Sequence, residues 1–107
     1  MAWHKLFNST EEANAAIPTN KPKLFIIDGQ RICLARTAAG LFAVDDECPH
    51  LGESLSKGTI NYLDEVVCPW HNYRFNLKPG TECKYRSCNL KTFPLTDEPD
   101  GLYITLA

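Results

Sequence analysis

Two short segments, Cys48-Pro49-His50-Leu51-Gly52 and Cys68-Pro69-Trp70-His71, constrain this chain more than any other feature. Each joins one sulfur donor to one imidazole donor within a few residues, and the 17 residues 51–67 separate His50 from Cys68. A fold that uses all four donors must set two loops against each other. Soft sulfur and borderline nitrogen together suit zinc, copper or iron-sulfur chemistry and not magnesium or calcium. A lone Cys or His is usually a packed core residue. Here two of the three histidines and two of the five cysteines fall in these segments, and that pairing argues against the core reading. A structural Cys2His2 zinc site would use the same donors. Zinc fingers, however, pair Cys with Cys and His with His at short spacing, and each segment here is mixed.

The surrounding sequence reads as short strands punctuated by turns, with no apolar stripe at helical spacing longer than two or three turns. Residues 3–7 alternate apolar and polar side chains. Ser9 or Thr10, followed by Glu11, Glu12 and alanines, offers an N-cap and a short helix ending before Pro18. Runs at 24–27 and 31–35 flank Asp28-Gly29, a pair that supplies the positive φ angles of a tight hairpin turn. Ala39-Gly40 marks the next reversal, before a strand over 41–44, and further strands are expected over 65–67, 73–76, 90–95 and 102–106. Pro79-Gly80 and Pro99-Asp100-Gly101 supply the remaining turns. The expectation is a mainly β protein of antiparallel sheets with one short helix, its two donor segments in loops between strands. A length of 107 residues without internal repeat suits one domain.

Charge narrows the classes of partner. A formal charge of -2 provides no broad positive field for nucleic acid or anionic lipid. No stretch approaches the roughly 20 apolar residues that span a bilayer, and the polar start is unlike a signal peptide, so a cytoplasmic location is expected. An odd number of cysteines, two of them in donor segments, fits a secreted disulfide scaffold poorly.

Cys-x-His followed at this spacing by Cys-x-x-His resembles the motif of the Rieske proteins. The likeness extends to Gly52 and Gly58, to Asp64-Glu65-Val66-Val67 entering Cys68, and to Tyr73-Arg74-Phe75-Asn76-Leu77 leaving His71. It implies three small antiparallel sheets in a single domain 1–107, with a basal part at 1–44 and 74–107 and a two-loop cluster-binding part at 45–73. It also implies one [2Fe-2S] cluster per chain, with Cys48 and Cys68 on one iron and His50 and His71 on the other. Neutral imidazoles in place of two thiolates make the added electron easier to accept. High-potential relatives add a disulfide between the loops and a serine and a tyrosine hydroxyl aimed at sulfur. Those positions here are Glu53 and Trp70, then Tyr73 and Phe75, so a potential near the low end of roughly -150 to +300 mV is expected. Asn72 stands where most relatives have glycine, and Asn tolerates left-handed backbone better than most residues. Pro49, Leu51 and Trp70 are expected to shield the cluster, with core packing alone as the alternative for Trp70.

The resemblance implies an electron carrier without substrate turnover, fed by a flavin-dependent NAD(P)H reductase and discharging to a terminal oxygenase. A mononuclear iron site of two histidines and a carboxylate is not available, because only His4 remains beyond the cluster ligands. The alternative is a small interaction or electron-transfer subunit of a larger oxidoreductase, similar to the nitrite reductase small subunit. A monomer is expected, with no nucleic acid or membrane partner. Residues 45–73 hold six acids against Lys57, a sum of -5, while the remainder sums to +3. This acidic end is expected to dock on a basic patch of a redox partner, an ordinary solvated surface being the alternative. Cys83 and Cys88, five residues apart, are read as free thiols, with a local disulfide or metal pair as alternatives. Cys33 is read as a small buried residue on a strand.

Overall fold

A computed structural model of the chain describes residues 2–49, 52–69, 73–82 and 89–106. The first strand, β1 (Ala2–Phe7), leads into the helix α1 (Thr10–Ala16). Ser9 caps it, its hydroxyl accepting the Glu12 N–H at 3.0 Å, and the Glu12 carboxylate in turn accepts the Asn8 N–H at 3.3 Å. The first bond satisfies an N–H that a helix leaves orphaned at its start, and the second ties the residue before the cap to the first turn. The helix ends where Ile17 turns extended, one residue before Pro18. Ala13 and Ile17 are its buried contributions to the core.

Three antiparallel sheets follow. The hairpin β2 (Lys23–Ile27) and β3 (Gln30–Thr37) turns through Asp28 and Gly29, at φ 50° and 77°, both in the left-handed region that a two-residue hairpin loop needs. β4 (Gly40–Asp45) pairs with β3 and also with β8 (Thr92–Phe93), giving the order β2-β3-β4-β8. A second sheet runs β1-β10-β9, from β9 (Leu95–Glu98) and β10 (Gly101–Leu106). The third, β5-β6-β7, consists of β5 (Thr59–Ile60), β6 (Glu65–Val67) and β7 (Arg74–Asn76).

Two differences from the sequence reading have local causes. The single strand expected over 90–95 is two strands in two sheets, and Pro94 lies at the break. Proline has no N–H to give a ladder. Its carbonyl accepts from Thr105 N at 3.0 Å as the chain crosses from β4 to β10. The other difference is a 3-10 turn, Leu55–Lys57, and the two-residue β5 after it, both too short to leave a periodic trace.

The continuous apolar run in β3 is buried on both faces. Ile32 and Leu34 point into a core shared with Ile17, Phe93, Ile104 and Leu106. Cys33 and Ala35 point the other way, into a second core with Val44, Leu55, Val66, Phe75, Leu77 and Leu90. Strand alternation thus makes β3 a partition between two apolar clusters. The second of them lies beneath the donor segments.

Candidate metal centre

Each sequence-predicted cysteine sits at the same point of a similar loop. In the third sheet Val67 pairs with Arg74, six residues intervene, and the Cys68 N–H closes the loop on the Tyr73 carbonyl at 2.7 Å. Beyond β4, an isolated antiparallel bridge joins Glu47 and Ser54, again with six residues between. There the Cys48 N–H closes on the Glu53 carbonyl at 2.9 Å. Each cysteine therefore follows the last bridged residue and bonds to the carbonyl five residues on. Gly52, at φ 76°, completes the first reversal by donating its N–H to the Cys48 carbonyl at 2.7 Å.

Both sulfur donors are enclosed, at 1% and 0% exposure for Cys48 and Cys68, and both belong to the core that contains Leu55, Val66 and Phe75. Pro49 and Pro69, one residue further along each loop, are exposed. Both loops are thus rooted in one apolar core. His50, Leu51, Trp70, His71 and Asn72 lie outside the described residues, as do Cys83 and Cys88.

The geometry and donor chemistry fit a two-iron cluster. Two soft sulfurs stand at equivalent points of two loops and are enclosed in one apolar core, a low-polarity setting in which a metal-sulfur centre is held and its potential tuned. Tyr73, half-buried, and Phe75, fully buried, pack in the same core. Gly58 permits the close approach beneath the second loop: a Cβ there would stand 1.9 Å from the Val67 carbonyl oxygen. Cys33 belongs to this core as well, but burial, with the Asp46 charge adding to it, pushes its thiol up to about 12. It is a packing residue.

Sequence reasoning missed a polar network beneath the first loop. Asp46 is fully buried. Its Oδ2 accepts hydrogen bonds from the Ser54 hydroxyl and, at 3.2 Å, from Arg31 Nη2. Its Oδ1 accepts the Ser56 N–H at 2.8 Å. Burial alone would raise the carboxyl's pKa, but these hydrogen bonds outweigh it and hold the group below the usual carboxylate range. The only trace in the sequence is an acid at the end of an apolar run, two residues before Cys48.

The acidic end is less bare than its residue count. Asp46 is spent on Arg31, and the mostly buried Glu65 pairs with Arg74 at 3.7 Å, both cations lying outside residues 45–73. Glu53 stands 4.0 Å from Lys57. Asp45, Glu47 and Glu53 line a groove of about 510 Å³ beside the first loop, with Arg31 and Lys57 also on its walls.

Residues 7–94 match the Rieske [2Fe-2S] domain, and the chain belongs to that family. The family's centre is a [2Fe-2S] cluster. The ferredoxin subunit of 3-phenylpropionate/cinnamic acid dioxygenase from Photorhabdus laumondii subsp. laumondii is 37% identical over 67 residues, covering 62% of this chain and 64% of that protein. The chain spans less than two thirds of the length of this relative and of several others it matches. Among solved structures, the ferredoxin of carbazole 1,9a-dioxygenase from Nocardioides aromaticivorans IC177 has a TM-score of 0.80 over 97% of both chains, at 16% identity. A protein described as the putative small subunit of an NADPH nitrite reductase has a TM-score of 0.76, covering 99% of this chain and 100% of that one, at 20% identity. These likenesses bear out the expected Rieske fold of three antiparallel sheets and a short helix. Among the described residues no helix is long and apolar enough to cross a membrane.

Proposed function

We propose that this chain is a one-electron carrier that takes electrons from a flavin-dependent NAD(P)H reductase and passes them to a terminal oxygenase. One observation supports the reading above the rest: Cys48 and Cys68 occupy equivalent positions in two loops rooted in one apolar core. On this reading Cys48, His50, Cys68 and His71 hold one [2Fe-2S] cluster, the cysteines on one iron and the histidines on the other. When bound, the cluster accepts and releases a single electron. The chain's own residues enclose the sulfurs and keep water from them. Residues 45–73 form the cluster-binding part of a single cytoplasmic, monomeric domain.

The chain performs no turnover of its own on this reading, since His4 alone remains to furnish a further histidine ligand. Phe75 offers no hydroxyl, and Glu53 cannot join a disulfide, so the potential falls toward the low end of the Rieske range. A voltammetric midpoint above about +100 mV would contradict that placement. Asp45, Glu47 and Glu53 beside the first loop form the rim that docks on a basic surface.

The test is an electron paramagnetic resonance spectrum of the dithionite-reduced protein, with iron and sulfide analysis. Two irons and two sulfides per chain, with an average g value below that of an all-cysteine cluster, are expected. An all-cysteine average g would remove the histidine ligation. The full-length likeness to a nitrite reductase small subunit favours a second reading, an electron-transfer subunit of a larger oxidoreductase. Co-purification as a stable stoichiometric complex supports that reading, and a monomer shuttling between two enzymes supports the carrier.

A further inference from the structure

The two ligand loops are closed by the same backbone bond but stand on different foundations. The second grows from β6 and β7, whose ladder runs Glu65↔Asn76, Val66↔Phe75 and Val67↔Arg74. The first grows from the end of β4 on one side and the 3-10 turn on the other, joined by a single bridge between Glu47 and Ser54. Two strands paired over three residues resist splaying, whereas one bridge does not.

We propose that Asp46 is the positioning residue of the first ligand loop, its carboxylate supplying the cross-link that a strand ladder supplies to the second. Its side chain takes hydrogen bonds from the Ser54 hydroxyl and the Ser56 N–H, and its carbonyl takes the Leu55 N–H at 2.7 Å, so one residue on the outgoing limb grips three consecutive residues on the return limb. The Ser54 and Ser56 hydroxyls are themselves 2.9 Å apart, which fixes the return limb internally. Arg31 adds a charge-assisted bond from β3 at 3.2 Å, tying the loop's base to the four-stranded sheet. A fully buried carboxylate with this many donors is a rigid joint, and removing it takes the acceptor from the Ser56 N–H and the Arg31 guanidinium and leaves the two serine hydroxyls only each other. Asp46 is not one of the four candidate ligands. It acts through Cys48, two residues away.

The inference rests on the ferredoxin reading, and its test separates the two. The cluster-loaded Asp46→Asn, Arg31→Gln and Ile104→Val proteins are compared with wild type for the rate of colour loss in excess chelator and for the g values of the reduced form. Ile104 lies in the other core, so its variant controls for loss of stability alone. Asp46→Asn is expected to bleach at least 5-fold faster than wild type with shifted g values. Arg31→Gln, which alters a half-exposed side chain, is expected to bleach about 2-fold faster and decides the matter if Asp46→Asn does not fold. Ile104→Val is expected to keep the wild-type rate and spectrum. Wild-type bleaching and g values in the loop variants, or equal acceleration in Ile104→Val, would overturn the role of Asp46 while leaving the carrier intact. A wild-type protein without a two-iron spectrum would overturn both.

Discussion

At Gly58 an added methyl carbon would stand 1.9 Å from the Val67 carbonyl oxygen and 3.2 Å from that of Leu55, both backbone atoms that cannot swing aside. Gly58→Ala is therefore expected to destabilise the fold by about 1–3 kcal/mol, the usual range for overpacking, read from the urea unfolding midpoint. Because Val67 directly precedes Cys68, the same variant is expected to lose iron on purification. Retention of two irons with wild-type stability would show that β5 and β6 can part without cost. Cys33 makes the opposite kind of prediction. A thiolate is the reactive form, and with the thiol pushed up to about 12 only about one in ten thousand is ionised at pH 8. Iodoacetamide at pH 8 is expected to leave Cys33 unmodified in the native protein by peptide mass spectrometry, and to label it once denaturant exposes it. These residues were read unequally well from sequence. The ligand-loop glycines and the buried Cys33 were visible as residue types, whereas the reason for Gly58 is a backbone approach that only folding creates.

Among the elements, the hairpin through Asp28-Gly29 and the helix capped by Ser9 were legible because each is decided within a few residues by turn and cap chemistry. The 3-10 turn, β5 and the split at Pro94 were not, since a two-residue strand has no period and a proline marks a break without naming the sheet on either side. This division predicts how variants behave. Ser9→Ala is expected to cost about 1 kcal/mol by loss of the cap and to leave the cluster spectrum unchanged, because α1 packs on β1 and β10 rather than on the strands that carry the loops. Phe75→Ala empties the centre of the core that seats Cys48 and Cys68, and is expected to cost about 3–5 kcal/mol with loss of cluster colour. Equal spectra in the two variants would mean that this core does not support the site. The paired strands under Cys68 and the carboxylate under Cys48 are two ways of making one kind of loop base.

For the molecule as a whole, the charge count along the sequence overstated the free acidity near the loops, because Arg31 and Arg74 come from outside residues 45–73 to pair with Asp46 and Glu65. With Glu53 beside Lys57, the acids that remain on the rim of the groove are Asp45 and Glu47. Electron-transfer rates with the physiological partner are expected to fall several-fold as ionic strength rises from about 0.01 to about 0.15 M, since the screening length shortens from roughly 30 to roughly 8 Å. Glu47→Gln, at an exposed position, is expected to weaken that dependence without altering the midpoint potential. Rates indifferent to salt would remove electrostatic docking.

By itself the sequence determined the family, the mainly β class and the order of the four candidate ligands, because donor identity and turn chemistry are properties of neighbouring residues. Tertiary structure alone decided that Cys48 and Cys68 share one core, that a carboxylate beneath the first loop does what a ladder does beneath the second, and which acids stay free. Each of these depends on side chains distant along the chain meeting in space, and no local pattern records such a meeting.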